Sequence, residues 1–267
     1  MSGVSKAAGC TLAWWGHAAV AVTLDGVRCV TDPLLRRRVG PLHYRGYRPS
    51  DAEIAAVDVV LLSHLHRDHT DLPSLSRFSA RTRIVVPAGG AVLLKRRIRA
   101  TVEELNVDEV TTVGPVTVRA VVADHDGRRR FGGPTALALG YLLTASRSIY
   151  VAGDTDVFPE MRSMAETAGA GGLDVALLPV SGWGLNLGPG HMDAARAAEA
   201  LALLRPRLVI PVHWGTLRVP VLWRMRPERY VTPGRDFAGH AAVVAPDCRV
   251  VIAAPNVPVV VPAQMAS

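Results

Sequence analysis

The chain has 267 residues, of which 49% are hydrophobic and 20% are charged, and this composition is typical of a globular protein with a sizeable core. The longest apolar stretches, such as residues 173–180, are shorter than a membrane span, and no apolar signal segment is visible, so we expect a cytoplasmic protein. The formal net charge of +7 favours anionic partners, but charge alone does not choose among phosphate esters, nucleic acid and anionic lipid. The three cysteines form no C-x-x-C pair that would indicate redox chemistry.

Short apolar runs bounded by Gly, Pro and Asp predict strands, whereas longer segments with apolar residues three and four apart predict helices. Each half of the chain opens with hairpins and closes with strand–helix–strand units, which predicts two sheets packed face to face with helices outside. The segment 34–49 is predicted to be a long loop. Strands are expected at residues 11–15, 19–24, 27–31, 57–62, 84–87, 109–113, 116–123, 136–143, 148–152, 174–179, 208–212, 241–244 and 249–253. Helices are expected at residues 50–56, 91–99, 157–167 and 192–204.

A dense string of ligand-type side chains follows the predicted strand 57–62. Its sequence is Ser63-His64-Leu65-His66-Arg67-Asp68-His69. In an extended segment, the two-residue spacing of His64 and His66 puts both imidazoles on the same side of the backbone, and Asp68 and His69 can then face a second ion. Histidine and aspartate contribute little to packing, and their burial is costly unless they are paired. The string therefore predicts a metal site.

Further ligand-type residues, His125, Asp154 and His213, follow later strands. Ligand sites in sheets with parallel segments lie at the carboxyl ends of strands, so these loops are expected to converge on one rim. The full set suits two divalent ions, zinc first, with manganese and iron as alternatives. Two such ions about 3.5–4 Å apart can share a hydroxide and lower its pKa toward 7, and Asp154 is the natural bridging ligand. The other ligands divide as His64, His66 and His125 on one ion and Asp68, His69 and His213 on the other.

These motifs, in this order, resemble those of the metallo-β-lactamase-fold hydrolases, and the resemblance runs from about Leu12 to Thr216. It implies an α+β fold, an αββα four-layer sandwich of two mixed β-sheets with outer helices, in a single domain of residues 1–267. Secondary motifs resemble the branch that contains N-acyl-phosphatidylethanolamine phospholipase D and ascorbate-6-phosphate lactonase-like proteins. They are Trp15-Gly16-His17-Ala18, Thr31-Asp32-Pro33, Gly190-His191-Met192-Asp193 and His213-Trp214-Gly215-Thr216.

The branch implies metal-dependent hydrolysis of a phosphodiester or a lactone, with a metal-bridging hydroxide as nucleophile and no covalent intermediate. The basic loops 36–48 and 128–130 favour a small anionic substrate. Three alternatives stay open: a lactonase or thioesterase with a neutral substrate, a metal-dependent nuclease or nucleic-acid-binding protein, and a metal-binding protein without catalysis. No added nucleic-acid-binding domain is visible, and the sequence does not specify an oligomeric state.

Two residues, Asp68 and His191, are assigned catalytic roles. His191 precedes the predicted helix 192–204, where it is expected either to stabilise developing charge and contact a substrate oxygen or to hydrogen-bond locally. Trp183 is assigned to the wall of the substrate site, with a core position as the alternative. Arg45 is assigned to the substrate entrance, with a solvated loop position as the alternative.

His17 and Asp32 lie near the ends of strands in the first hairpins. In this position they are candidates for hydrogen-bond partners that orient the ligating histidines. A purely structural hydrogen bond is the alternative for each.

Overall fold

The apolar runs of the sequence form seventeen strands and eight helices within residues 9–129, 132–169 and 171–262, which the computed structural model describes. The strands are β1 Cys10–Gly16, β2 Ala19–Leu24, β3 Val27–Thr31, β4 Arg38–Val39, β5 Leu42–Tyr44, β6 Val59–Leu61, β7 Arg83–Pro87, β8 Thr101–Leu105, β9 Val110–Val113, β10 Val116–Val122, β11 Leu139–Thr144, β12 Ser148–Val151, β13 Val175–Pro179, β14 Leu208–Val212, β15 Leu217–Arg218, β16 Arg249–Val250 and β17 Pro258–Val261. The helices are α1 Asp51–Ala55, α2 Leu72–Leu75, α3 Ala91–Leu94, α4 Met161–Thr167, α5 Ala194–Leu204, α6 Pro220–Met225, α7 Glu228–Val231 and α8 Pro233–Val244.

Two seven-stranded sheets carry both antiparallel and parallel pairs. The first has the order β17-β1-β2-β3-β6-β7-β8, and the second has the order β16-β14-β13-β12-β11-β10-β9. Hairpin neighbours such as β1 and β2 pair antiparallel. The later strands β6 and β7 of the first sheet, and β12 to β14 of the second, pair in parallel. Both sheets are therefore mixed, as predicted, and each has an edge where the carboxyl ends of parallel strands lie side by side.

Successive side chains of each strand point to opposite faces of its sheet, and this alternation divides the hydrophobic core into layers. Leu61 of β6 and Ile210 of β14 are buried between the two sheets. The outer face of the first sheet packs against Ile54 of α1, and the outer face of the second packs against Leu201 of α5 and Phe237 of α8. Helices thus cover both outer faces, and the predicted αββα four-layer sandwich is confirmed.

The predicted loop 34–49 contains a small hairpin. Strands β4 and β5 pair with each other, and β5 also pairs with β15, which makes a third sheet of three strands. The hydroxyl of Tyr44 donates to the carbonyl oxygen of Trp15 across 2.8 Å and attaches the hairpin to the first sheet. Strands of two and three residues are too short to show alternation in the sequence, so the pattern could not predict them.

The C-terminal part of the chain differs from the prediction. Residues 241–244, predicted as a strand, form the end of α8, and this prediction is wrong because Phe237 and Ala241 continue one apolar helical face that packs against α5. The predicted strand 249–253 is reduced to the two residues of β16. The last strand is β17, which pairs with β1 and completes the first sheet.

Side chains cap two of the predicted helices. Ser50 and Glu53 form a capping box at the start of α1, and Asp193 caps α5 by accepting from the backbone N–H of Arg196. Among the helices of the described segments, none combines the length and the hydropathy that a bilayer crossing requires.

Candidate metal centre

The ligand-type residues begin where buried strands end. His64 follows β6, His125 follows β10, Asp154 follows β12 and His213 follows β14. Strands β12, β13 and β14 are parallel neighbours, so their carboxyl ends share one edge of the second sheet. The loop after β6 approaches this edge from the first sheet, and the predicted ligands therefore meet between the two sheets.

His64, His66 and His125 form one group, in which one nitrogen of each lies within 4.8 Å of the others. His66 Nδ1 lies 3.3 Å from His125 Nε2. The opposite nitrogen, His125 Nδ1, donates to the carbonyl oxygen of Gly190 across 2.8 Å, so Nε2 of the neutral ring carries a lone pair. Burial lowers the pKa of His66 to about 4, so this ring is neutral near pH 7.

Asp68, His69 and His213 form a second group by the same criterion. His69 Nε2 lies 3.2 Å from His213 Nε2. The far nitrogen of each ring has an acceptor at 2.8 Å, the carbonyl oxygen of Ser181 for His213 and Asp32 Oδ2 for His69. Burial lowers the pKa of His213 to about 3, so its Nε2 is a free lone pair near pH 7.

Asp154 lies between the two groups and is almost fully buried. Its Oδ1 is 3.2 Å from His213 Nε2, and its Oδ2 is 3.2 Å from His69 Nε2 and 4.0 Å from His64 Nε2. His191 Nε2 also approaches Oδ2, at 3.5 Å. Burial opposes ionisation of this carboxyl, but His213 and His69 outweigh it and hold the pKa of Asp154 well below its usual value.

A cation at this position would satisfy atoms that are otherwise left without partners. His64 Nε2 and Asp154 Oδ1 are buried and have no hydrogen-bond partner among the described residues. Burial opposes a charge on His69, yet the carboxylates of Asp154 and Asp32 raise its pKa well above the usual value, so they favour positive charge at this position. Imidazole nitrogens and carboxylates are donors that zinc, manganese and iron accept, so the residues present fit divalent ions.

Asp68 receives two hydrogen bonds on one oxygen. His17 Nε2 lies 3.0 Å from Asp68 Oδ2, and the indole N–H of Trp183 donates to the same atom across 2.9 Å. His17 also belongs to the second group, since its ligand-type nitrogen lies within 4.8 Å of those of Asp68, His69 and His213. His17 is therefore placed against a predicted ligand.

Asp32 holds the His69 ring through a short network. Its carboxylate accepts from the backbone N–H of Ser63 at 2.8 Å and from the Ser63 hydroxyl at 2.6 Å, besides His69 Nδ1. Three non-glycine residues around this network have positive φ: His17 at 52°, Asp32 at 35° and His213 at 63°. Such backbone strain persists only where surrounding contacts enforce it, and it is typical of functional sites.

A cavity of about 600 Å³ lies above the ligand groups. Trp183 and His191, which are predicted to contact substrate, both line this cavity. Arg45 does not line it, because its side chain is exposed elsewhere and its backbone N–H donates to the carbonyl oxygen of Thr216. The arginines that line the cavity are Arg36 and Arg67.

Neither Arg128 nor Arg129 of the basic loop 128–130 lines the cavity. Arg128 pairs with Asp126 at 3.2 Å, and Arg129 donates to the carbonyl oxygens of Leu65 and Thr70. Arg129 therefore fixes the backbone of the ligand string. Arg130 lies outside the described residues.

Sequence reasoning missed the backbone acceptors and two side chains, those of Arg67 and Ser63. The carbonyl oxygens of Ser181 and Gly190 orient His213 and His125, but backbone groups leave no signal in residue type. Arg67 stands inside the ligand string, so its position was the signal that it would lie at the site. Ser63, directly before His64, offered the same signal.

Comparison with known proteins identifies the family. Residues 27–214 match the family model described as a beta-lactamase superfamily domain. A UPF0173 metal-dependent hydrolase of Hyperthermus butylicus is 30% identical over 239 residues, which cover 86% of this chain and 93% of that protein. A second, from Opitutus terrae, is 31% identical over 255 residues, covering 88% of this chain and 96% of that protein.

A solved structure of Igni18, a metallo hydrolase from Ignicoccus hospitalis, superposes with a TM-score of 0.71 and 21% identity, covering 94% of this chain and 97% of that one. At this identity the likeness shows the fold alone. Together the fold and the site define a hydrolase of the metallo-β-lactamase fold. The chain belongs, by its family match and its relatives, to the UPF0173 metal-dependent hydrolases of the beta-lactamase superfamily, and it is a metal-dependent hydrolase. The resemblance to the phospholipase D and lactonase branch stays a prediction.

Proposed function

We propose that the protein is a dinuclear metal-dependent hydrolase that cleaves a small anionic ester, either a phosphodiester or a phosphorylated lactone. The observation that carries this proposal is the meeting of two ligand groups on either side of Asp154, whose two oxygens each lie 3.2 Å from a histidine nitrogen. A carboxylate in that position can neutralise part of two cations, and seven donors exceed the needs of one four-coordinate ion. The ligands proposed are His64, His66 and His125 for one ion, Asp68, His69 and His213 for the other, and Asp154 for both.

Divalent ions supply Lewis-acid chemistry: they lower the pKa of water toward 7 and polarise a scissile ester. The protein's own residues orient the side-chain atoms that would coordinate these ions. Asp32 and the carbonyl oxygens of Ser181 and Gly190 each accept from the far nitrogen of one histidine, which fixes the tautomer that leaves the near nitrogen free. His17 and Trp183 orient the Asp68 carboxylate through hydrogen bonds to its Oδ2.

His191 is proposed as the residue that contacts the reacting oxygen. Its Nδ1 donates to the carbonyl oxygen of Pro189 at 3.1 Å, which directs Nε2 toward Asp154 and the cavity. Burial opposes its charge, but the hydrogen bond with Asp154, the negative charge of that carboxylate and the hydrogen bond to the Pro189 carbonyl together outweigh burial and raise the pKa of His191. A protonated Nε2 can donate to a substrate oxygen on which negative charge develops. Asp68 lines the same cavity and is proposed to act beside His191.

The cavity supports a small-molecule substrate. A volume of about 600 Å³ suits a molecule of drug size, which favours hydrolysis of a small molecule over cleavage of a nucleic acid. A neutral lactone or thioester is the second candidate, because Pro41 and Leu187 add apolar wall to the cavity. Activity on a neutral substrate is expected to survive high salt, whereas salt screens the electrostatic attraction that steers an anionic substrate to the cavity.

The hydrophobic core shared by both sheets supports a single domain over residues 1–267.

The test is elemental analysis of purified protein together with hydrolysis of bis(p-nitrophenyl) phosphate and of a simple lactone. We expect close to two ions per chain and turnover of an anionic substrate. Asp154→Ala is expected to lose ions and to lower turnover by at least about 100-fold. Asp51→Ala, at an aspartate that is 96% exposed and outside the site, is the matched control and should change neither. One ion or none, with both substrates untouched, would contradict the proposal.

A further inference from the structure

Arg67 stands between two predicted metal ligands, yet its side chain lines the substrate cavity and is exposed. Within the described part of the chain, it has no ion-pair or hydrogen-bond partner for its guanidinium. The other arginine of the cavity, Arg36, is neutralised, since its Nη2 lies 2.7 Å from Asp71 Oδ1 and its Nε donates to the same oxygen at 3.0 Å. Arg67 is therefore the cavity arginine whose charge is available to a ligand.

The backbone that carries Arg67 is held on both sides. Arg129 donates to the carbonyl oxygens of Leu65 and Thr70, and the backbone N–H groups of His69 and Thr70 donate to the carbonyl oxygen of His66. An anion bound to Arg67 would consequently lie within the length of one arginine side chain from the ligand string. Fixing a second point of the substrate in this way orients its scissile bond.

The rest of the cavity wall next to the ligand groups is partly apolar. Trp183, which is 37% exposed, and Leu187 lie on one loop, and Pro41 lies on the turn of the small hairpin. An apolar surface beside one unpaired cation matches a molecule with an apolar body and an acidic group.

We propose that Arg67 is a specificity-determining residue, which binds a substrate oxyanion separate from the scissile bond while the body of the substrate lies against Trp183 and Leu187. The oxyanion is a carboxylate or a phosphate, because both match the planar donor fork of a guanidinium. This inference rests on the proposed function, since it uses the same cavity. A charge-assisted contact of this kind changes affinity by about 10- to 100-fold.

The experiment compares esters that differ only in a remote charge. The mono-p-nitrophenyl esters of succinate, glutarate and adipate are each paired with the neutral p-nitrophenyl ester of the same chain length. For at least one pair, we expect the zinc-loaded protein to favour the charged ester by about 10-fold in kcat/KM. Arg67→Met should abolish this preference for the charged ester, and Arg67→Lys should restore part of it. Arg45→Met, which removes the same charge outside the cavity, should keep the preference.

A binding measurement separates this inference from the proposed function. Titration calorimetry of the same four proteins, all zinc-loaded, uses succinate, glutarate and adipate against butyrate, pentanoate and hexanoate. Tighter binding of a dicarboxylate that is lost in Arg67→Met supports the inference even where no ester is hydrolysed, and in that case only the proposed function fails. Equal binding of both series by the wild type, or a dicarboxylate advantage that persists in Arg67→Met, would overturn it.

Discussion

The indole N–H of Trp183 donates a hydrogen bond to Asp68 Oδ2 across 2.9 Å, and this bond joins the wall of the cavity to a predicted metal ligand. The loop that carries Trp183 is held by two further hydrogen bonds. The hydroxyl of Tyr230 donates to the carbonyl oxygen of Trp183, and Arg229 donates to that of Gly184. A change in the loop that carries Trp183 therefore acts on Asp68 as well. If Asp68 holds a metal ion as proposed, we expect a change at Trp183 to alter metal binding as well as the cavity wall.

Trp183→Phe tests this coupling. The substitution keeps an aromatic wall but removes the donor to Asp68, so we expect metal affinity to fall by about 10-fold, within the range typical of residues that orient ligands. Competition for zinc with a chromophoric chelator measures the affinity. Leu187→Ala, in the same loop but without a bond to Asp68, is the control and should retain it. Equal affinities of Trp183→Phe and the wild type would show that the bond is not needed.

Asp32→Asn is expected to weaken metal binding by about 10- to 100-fold, because an amide presents a donor to His69 or Ser63 where the carboxylate accepts from both. The unmatched donors should also cost the metal-free protein about 1–3 kcal/mol in the free energy of unfolding. Asparagine tolerates the positive φ of this position, so backbone strain does not contribute. Chelator competition and urea unfolding give the two quantities. Asp51→Asn should alter neither, and a normal affinity in Asp32→Asn would refute the role of Asp32.

Gly190 and Gly188 form a matched pair on the loop before α5. Both have positive φ, 72° and 75°, but a Cβ on Gly190 would lie 3.0 Å from His125 Nδ1, whereas a Cβ on Gly188 would meet nothing within 4 Å. We expect each alanine variant to lose about 1 kcal/mol of stability from backbone strain. In Gly190→Ala, displacement of His125 should also reduce metal content. Elemental analysis and thermal unfolding of both variants distinguish the effects, and equal metal content would contradict the steric argument.

Removal of metal is expected to lower the melting temperature. Without metal, His64 Nε2 and Asp154 Oδ1 stay buried with no hydrogen-bond partner among the described residues, and free metal at 100 times its Kd contributes about 2.7 kcal/mol of stability. For a chain of this size we expect a fall of about 5–10 °C after treatment with EDTA. Calorimetry before and after chelation, and after zinc is restored, measures it. Asp154→Ala should respond less than the wild type, and a melting temperature indifferent to chelation would contradict a bound ion.

Prediction from sequence was most complete where the type and spacing of neighbouring residues determine the local structure. The hairpins at the start of the chain, the capping box of Ser50 and Glu53, and the helix from Ala194 to Leu204 follow from local patterns. The small hairpin around Gly40 and the helix that contains Ala241 were missed. In both cases pairing or packing with a distant segment decides the structure, and local pattern does not encode it.

The candidate site divides in the same way. The sequence alone determined which side chains are suited to hold ions, because a string of histidine and aspartate directly after a buried strand has no role in packing. Only the tertiary structure decided that Trp183 and His17 share one oxygen of Asp68, and that Arg67, not Arg45, lines the cavity. The reason is that distances between side chains on separate strands depend on how the two sheets pack, and packing sums many weak contacts along the whole chain.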